Sequence, residues 1–315
     1  MRFHLTTIGE GQIRLTVPAG ERLSSTRELR LSPAGSEANV AGVLAQFGRA
    51  ASWCTVMPRG DLTERCLAEY RSVGVDLSAV VRTDDGRVAL YFLEPGESPM
   101  PSRVTYDRLG TPFREIDPSA VDWDLLLDTR TVFVTGITAA LTDRTAAVVE
   151  EFTVRAERAG VRIVLDVNYR SLLWDAESAR RVLSPIAARA DLLLCSRRDA
   201  ATVFGIARDG AGCVEELRDR FGARHVVSTD QTDDVYVADE SGVARFPVSV
   251  VPIVDRPGAG DSFVAGVIDG YLADDVRAGV ERGMRVATYA LTHHGDLTHI
   301  GRPDLAQATT TDIIR

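Results

Sequence analysis

The sequence predicts an α/β fold: one large domain with a mostly parallel sheet between helices, and a small sheet set outside it. Three observations carry that prediction. From Thr131 onward short apolar runs alternate with helical stretches, and the first third holds strand-like runs with charged or polar residues interleaved. In addition, a chain of 315 residues with 45% hydrophobic content can bury one full core.

Taken in order, residues 12–17 read as the first interleaved strand. Residues 37–48, EANVAGVLAQFG, read as a helix with a small-residue face, and residues 61–73 as a second helix. Residues 87–93 and 103–107 return to interleaved strands, which assigns the small sheet to about 11–33 and 87–113. The βαβ rhythm then begins with TVFVT, followed by a helix over LTDRTAAVVEEFTVRAERAG that Gly160 ends. VRIVLD, a helix near 176–188, DLLLC opened by Asp191, and RHVVS continue it. Ligands of parallel sheets gather beyond the carboxyl ends of the strands, and Asp166, Ser196 and Thr229 fall at or just after such ends. The chain shows no internal repeat, and the polar tail beyond Pro303 reads as surface.

Composition narrows the function. A net charge of −9 argues against nucleic acid or a membrane surface as a partner, since both present negative charge. No stretch approaches the roughly 20 apolar residues of a membrane span, and MRFHLTTIGE lacks the pattern of a secretory leader, so a cytoplasmic protein is expected. Cys54, Cys66, Cys195 and Cys213 have no metal-ligand spacing and read as idle thiols. There is no lysine, so all 36 basic side chains are arginine. Schiff-base lysine chemistry and phosphate loops of the GxxxxGK[ST] type are thereby excluded.

One segment carries chemistry. Gly258, Ala259 and Gly260 precede Asp261, and Phe263, Val264, Val267, Ile268, Tyr271 and Leu272 follow at helical spacing. A glycine-rich turn thus opens a buried helix, where free N–H groups and the helix dipole attract phosphate oxygens. A carboxylate at that point can accept a proton from a nearby hydroxyl. An aspartate that simply caps a helix would give the same local pattern.

DRPGAGDSFVAG resembles the C-terminal signature of the ribokinase-like (phosphofructokinase-B) sugar kinases, and AGSEANVAGVLAQFG resembles their N-terminal signature. The resemblance implies a ribokinase-like three-layer α/β/α sandwich whose small sheet is a lid, with ATP and Mg2+ as cofactors. It implies that the two glycines Gly258 and Gly260, with Ala259 between them in the catalytic segment, make an anion hole, that Asp261 is the catalytic base, and that Gly35 and Asn39 hold sugar hydroxyls. YFLEPGESPMPSRVTYDRLG, DVNYRSLLW and DAATVFGI are similar to the 2-keto-3-deoxygluconate kinase branch. That likeness implies that Tyr91, Tyr106, Arg108 and Arg170 face a sugar acid, for which guanidinium donors are suited. Asn168, Ser196, Thr229, Gly258 and Gly260 are then expected at the nucleotide, and Asp199 at magnesium through water.

Departures accompany the matches. Ser196, Arg197, Arg198 and Asp199 stand where the family has an NxxE-like motif, Ala34 replaces a glycine, and residues 228–234, STDQTDD, are acidic beside the expected nucleotide. Two other readings stay open: a kinase for a neutral sugar such as fructose, and a sugar-binding homologue without turnover. Because lids of this kind can be completed by a partner subunit, a homodimer is also expected.

Overall fold

The computed structural model describes residues 1–96, 99–230, 233–301 and 304. Its first third contains strands β1 (Leu5–Ile8), β2 (Gln12–Thr16), β3 (Arg30–Ala34), β4 (Ala51–Cys54), β5 (Val56–Pro58), β6 (Val81–Thr83), β7 (Ala89–Glu94) and β8 (Arg103–Asp107). Helices α1 (Ser36–Gln46) and α2 (Asp61–Ser72) lie among them. After the short helix α3 (Trp123–Leu127) come β9 (Thr131–Thr135), α4 (Gly136–Ala139), α5 (Asp143–Arg158), β10 (Arg162–Asp166) and α6 (Ala176–Ala187). The chain continues through β11 (Leu192–Leu194), the single turn α7 (Arg197–Asp199), α8 (Gly210–Phe221) and β12 (His225–Thr229). It closes with β13 (Asp234–Asp239), β14 (Gly242–Pro247), α9 (Ala259–Tyr271) and α10 (Val276–Leu291).

The main sheet has eight strands in the order β14-β13-β12-β11-β10-β9-β1-β4. The six strands from β12 to β4 are parallel, and β13 and β14 close one edge as antiparallel strands. Side chains alternate across it, as a pleated strand requires. Val132 and Val134 of β9 join Phe152, Leu183 and Leu217 of α5, α6 and α8, whereas Phe133 faces the cluster with Val40, Leu67, Ile268 and Val280 of α1, α2, α9 and α10. Helices thus cover both faces, which makes the predicted three-layer α/β/α sandwich.

Aspartates start several of these helices. Asp175 accepts from the Ser178 N–H at 2.8 Å, Asp209 from Gly212 at 2.8 Å and Asp275 from Ala278 at 3.0 Å, each satisfying an otherwise orphan donor. A reciprocal pair, Thr142 and Thr145, does the same for α5.

A separate four-stranded sheet has the order β3-β2-β7-β8, with β2 and β7 parallel and the outer strands antiparallel. Its β8 is exposed along its whole length. Helices α9 and α10 meet backbone to backbone. A Cβ added at Gly266 would lie 2.4 Å from the Gly283 Cα, and one at Gly270 2.2 Å from the Gly279 Cα. No helix among the described residues is long and apolar enough to cross a membrane. The tail beyond Pro303, read as surface, falls outside the described residues apart from Asp304.

Candidate active site

The site forms where α9 begins, facing the carboxyl ends of the parallel strands. Gly258 caps that helix with φ 88°, and a Cβ there would stand 1.9 Å from the Asp296 carbonyl oxygen, so only glycine fits. The helix starts one residue earlier than the run of glycines suggests: Ala259 is its first residue, and Gly260 and Asp261 lie inside the first turn. The Ala259 N–H points to the Arg256 carbonyl at 3.3 Å, whereas the Gly260 and Asp261 N–H groups have no acceptor among the described residues. Those two donors and the helix dipole make an anion cradle.

Asp261 borders this cradle. Its Oδ1 accepts from Ser36 Oγ at 2.6 Å and its Oδ2 from Asn39 Nδ2 at 2.7 Å. The Tyr70 hydroxyl donates to Asn39 Oδ1 at 2.8 Å, which fixes the amide with its nitrogen toward the carboxylate. Asn39 therefore orients Asp261, a task beyond the sugar-hydroxyl contact expected for it. Burial pushes the Asp261 carboxyl up to about 6, against the pull of the Asn39 and Ser36 hydrogen bonds and of Arg170. Such a value places a proton acceptor close to neutral pH.

A cleft of about 1800 Å3 opens above these groups, lined by Gly35, Asn39, Tyr91, Tyr106, Arg108, Asn168, Arg170, Ser196, Asp199, Thr229, Gly258, Gly260 and Asp261. The sequence had marked all of these, and the fold brings them to one cavity. Two of them are already engaged. Arg108, 6% exposed, donates through Nε and Nη2 to Glu10 Oε2 at 2.8 and 2.6 Å, while Thr111 Oγ1 donates to Glu10 Oε1 at 2.5 Å. Arg108 therefore lines the cleft as expected, but with its guanidinium already paired to Glu10. Tyr91 donates its hydroxyl to Asp296 Oδ2 at 2.6 Å. Tyr106, 44% exposed, and the exposed Arg170 have no side-chain hydrogen bond or ion pair among the described residues.

Elsewhere on the cleft wall, Asp166 closes β10 and accepts from Asn168 Nδ2 at 3.3 Å. Its carboxyl is pushed up to about 7 by burial and by the negative charges of Asp261 and Asp199. Ser196 Oγ accepts from the Asp199 N–H at 3.0 Å, and Asp199 Oδ2 accepts from the Tyr169 N–H at 3.2 Å. Burial likewise raises the Asp199 carboxyl. The acidic stretch is tempered by arginines: Asp230 pairs with Arg197 at 2.5 Å and Asp234 with Arg245 at 2.9 Å. Gln231 and Thr232 of that stretch lie outside the described residues.

Sequence reasoning missed Ser36, which holds Asp261, and Gln12, another lining residue of the cleft. Gln12 of β2 is 8% exposed, and its Oε1 has no partner among the described residues. A buried unpaired acceptor beside a cavity is costly unless a ligand satisfies it. The signal was an amide at the start of a strand that otherwise alternates with Ile13 and Leu15, a pattern that also suits surface.

A glycine turn on a helix start, a buried carboxylate held by two side chains and a small sheet beside the cleft stand together here. Residues 3–300 match the model of the pfkB family carbohydrate kinases. The chain belongs to that family. It is 32% identical over 298 residues to the 2-dehydro-3-deoxygalactonokinase of Haloferax volcanii, covering 94% of this chain and 93% of that one. It is 27% identical over 311 residues to the 2-dehydro-3-deoxygluconokinase of Thermoproteus tenax, covering 96% and 93%. Among solved structures, the 2-dehydro-3-deoxygluconokinase of Thermotoga maritima superposes with a TM-score of 0.90 at 30% identity, covering 97% of each chain. The protein is a carbohydrate kinase with the ribokinase-like fold.

Proposed function

We propose that this kinase transfers the γ-phosphoryl group of ATP to a hydroxyl of a keto-deoxy sugar acid, 2-keto-3-deoxygluconate or its galactonate epimer. The observation that carries the reaction is Asp261, held by Ser36 and Asn39 beside the free N–H groups of Gly260 and Asp261. The ionised carboxylate accepts the proton of the sugar hydroxyl as its oxygen bonds to the γ-phosphorus and the bond to the ADP oxygen breaks. The helix-start donors bear the negative charge that develops on the transferring group. A loose transition state asks mainly for this positioning, so a base of ordinary strength suffices.

The sugar acid follows from Arg170, whose charge acts on both Asp261 and Asp166 and so stands at the reacting end of the cleft. With Arg108 neutralised by Glu10, recognition of the carboxylate falls to Arg170, with Tyr106, Gln12 and Gly35 toward the remaining oxygens. The relatives named for 2-dehydro-3-deoxy sugar acids support the same class. The four-stranded sheet, within about 11–33 and 87–113, serves as the lid of a single kinase domain, and its exposed β8 edge is where a second copy would complete a homodimer.

The nucleotide end fits ATP with magnesium. Asp166, raised by burial and by the charges of Asp261 and Asp199, and Asp199, raised by burial, would meet the ion through water, with Ser196, Asn168 and Thr229 near the phosphates. Magnesium, when bound, screens the phosphate charge that these carboxylates oppose. The four cysteines are free and buried, which suits a reducing cytoplasm where ATP is supplied.

ADP release measured across sugar acids, fructose and ribose tests this reading. Asp261→Asn should lower turnover by about 10²- to 10⁴-fold, the usual loss for a general base. Near-normal turnover in that variant removes the base assignment, and fructose outperforming every sugar acid removes the substrate while leaving a sugar kinase.

A further inference from the structure

Arg14 lies on β2 of the small sheet, is 1% exposed, and reaches two carboxylates on the far side of the cleft. Its Nη1 donates to Asp296 Oδ1 at 2.8 Å, its Nη2 donates to Asp255 Oδ2, and its Nε donates to Thr16 Oγ1 at 2.7 Å. Asp255 stands three residues ahead of Gly258 and also accepts from the Gly295 N–H at 3.2 Å. Asp296 takes a second hydrogen bond from Tyr91 of β7, and its main-chain oxygen is the atom packed against Gly258. Two strands of the small sheet therefore grip the chain on both sides of the turn that starts α9.

Stability is a weak reason for such a cluster. Desolvating one guanidinium and two carboxylates offsets most of their attraction, and apolar side chains of similar volume often do as well. What an apolar replacement cannot supply is a fixed geometry and a fixed charge. Here both act on Asp261. The groups that face Asp261 are Ser36, Glu37 and Asn39 of α1, Tyr70 of α2, Asp166 and Arg170 at the end of β10, and Asp296 beyond α10. Asp296 opposes ionisation of the base, Arg170 favours it, and Arg14 is bonded directly to Asp296.

We propose that Arg14 is a positioning residue for phosphoryl transfer: through Asp255 and Asp296 it holds the Gly258–Gly260 turn and Asp261 in register with the sheet over the sugar, and it sets the charge beside the base. The proposal rests on Asp261 acting as that base. It assigns a task in the reaction to a side chain that touches neither substrate.

Steady-state kinetics of the full-length protein test it. Arg14→Met should lower kcat by about 10²-fold, the scale of a small misplacement of reacting groups, with KM for ATP little changed. In an Asp261→Asn background the same substitution should cost much less, because residues that act as a unit are not additive. Asp296→Asn keeps volume and one of the two acceptor oxygens but removes a negative charge, so the acid limb of kcat/KM, centred near the base's value of about 6, should move to lower pH. A folded Arg14→Met that keeps kcat within about 2-fold overturns the proposal, as does an equal loss with and without Asp261. If Arg14→Met does not fold, Asp296→Asn decides: a limb moved down supports the network, and an unmoved limb overturns it. Failure of the base itself reads differently, since Asp261→Asn alone would then retain turnover.

Discussion

Glu37 offers a test of how the fold tolerates a charge beneath the sugar-side helix. It lies on α1 between Ser36 and Asn39, is 2% exposed, and its Oε1 accepts from Thr135 Oγ1 and Thr138 Oγ1, each at 2.6 Å. Burial, opposed by those two hydrogen bonds, pushes its carboxyl from the ordinary 4.5 up to about 7. The folded-state value exceeds the unfolded one, so native protein binds the extra proton, and stability present below the lower value is lost as pH rises through the higher. At 1.36 kcal/mol per pH unit the loss amounts to about 3 kcal/mol, complete by roughly pH 8. Glu37→Gln keeps the Oε1 acceptor for both threonines and has no charge to form. Its stability relative to the parent should therefore improve by up to about 3 kcal/mol between pH 5 and pH 8, or roughly 4–5 °C in melting midpoint for a chain of this length. Paired thermal or urea unfolding curves at several pH values measure this. Asp166 and Asp261 are raised in both proteins and largely cancel in the difference, apart from the repulsion between Glu37 and Asp261 that the substitution also removes. Curves that stay parallel across this range would refute a buried carboxyl with a raised value.

Three further outcomes are expected. Arg170→Ala should raise KM for the sugar acid by about 10²-fold, as for loss of a charged hydrogen-bond donor, with KM for ATP little moved; an effect on ATP alone refutes the carboxylate role. Chelation of divalent ions should abolish ADP release and added magnesium should restore it, whereas undiminished turnover would sink the metal requirement. Gly266→Ala places a methyl 2.4 Å from the Gly283 Cα and should destabilise the protein by about 2–4 kcal/mol in urea unfolding; a change below about 1 kcal/mol would mean that α9 and α10 separate easily.

What could be read in advance was what is local. The short continuous apolar runs TVFVT and VRIVLD report burial on both faces of a strand, and β9 and β10 form there. The glycine turn ahead of Asp261 is likewise contained in a dozen residues. The antiparallel pair β13 and β14 is not read from the sequence, which is interpreted there only for the acidic stretch 228–234. Long-range pairings had no sequence signal at all. Glu10 and Arg108 are 98 positions apart, and Arg14 is 241 and 282 positions from Asp255 and Asp296. An arginine that binds a substrate carboxylate and one neutralised by a distant glutamate look alike until the chain is folded. Gln12 was hidden for a related reason, since an amide on a strand declares neither its burial nor its missing partner.

The contact between α9 and α10 bears on where motion can occur. Gly266 abuts Gly283 and Gly270 abuts Gly279, so the two rods are pinned at two points one turn apart and can neither slide nor pivot on one another. The second rod runs back alongside the first, which returns the chain to its starting point and sets Asp296 against Gly258. The phosphate cradle is thus one jaw of a vice that is bolted to the frame. On the proposal that the small sheet is the lid, closing the gap on a sugar is the work of that other jaw, and of the arginine and tyrosine by which it already holds the fixed side.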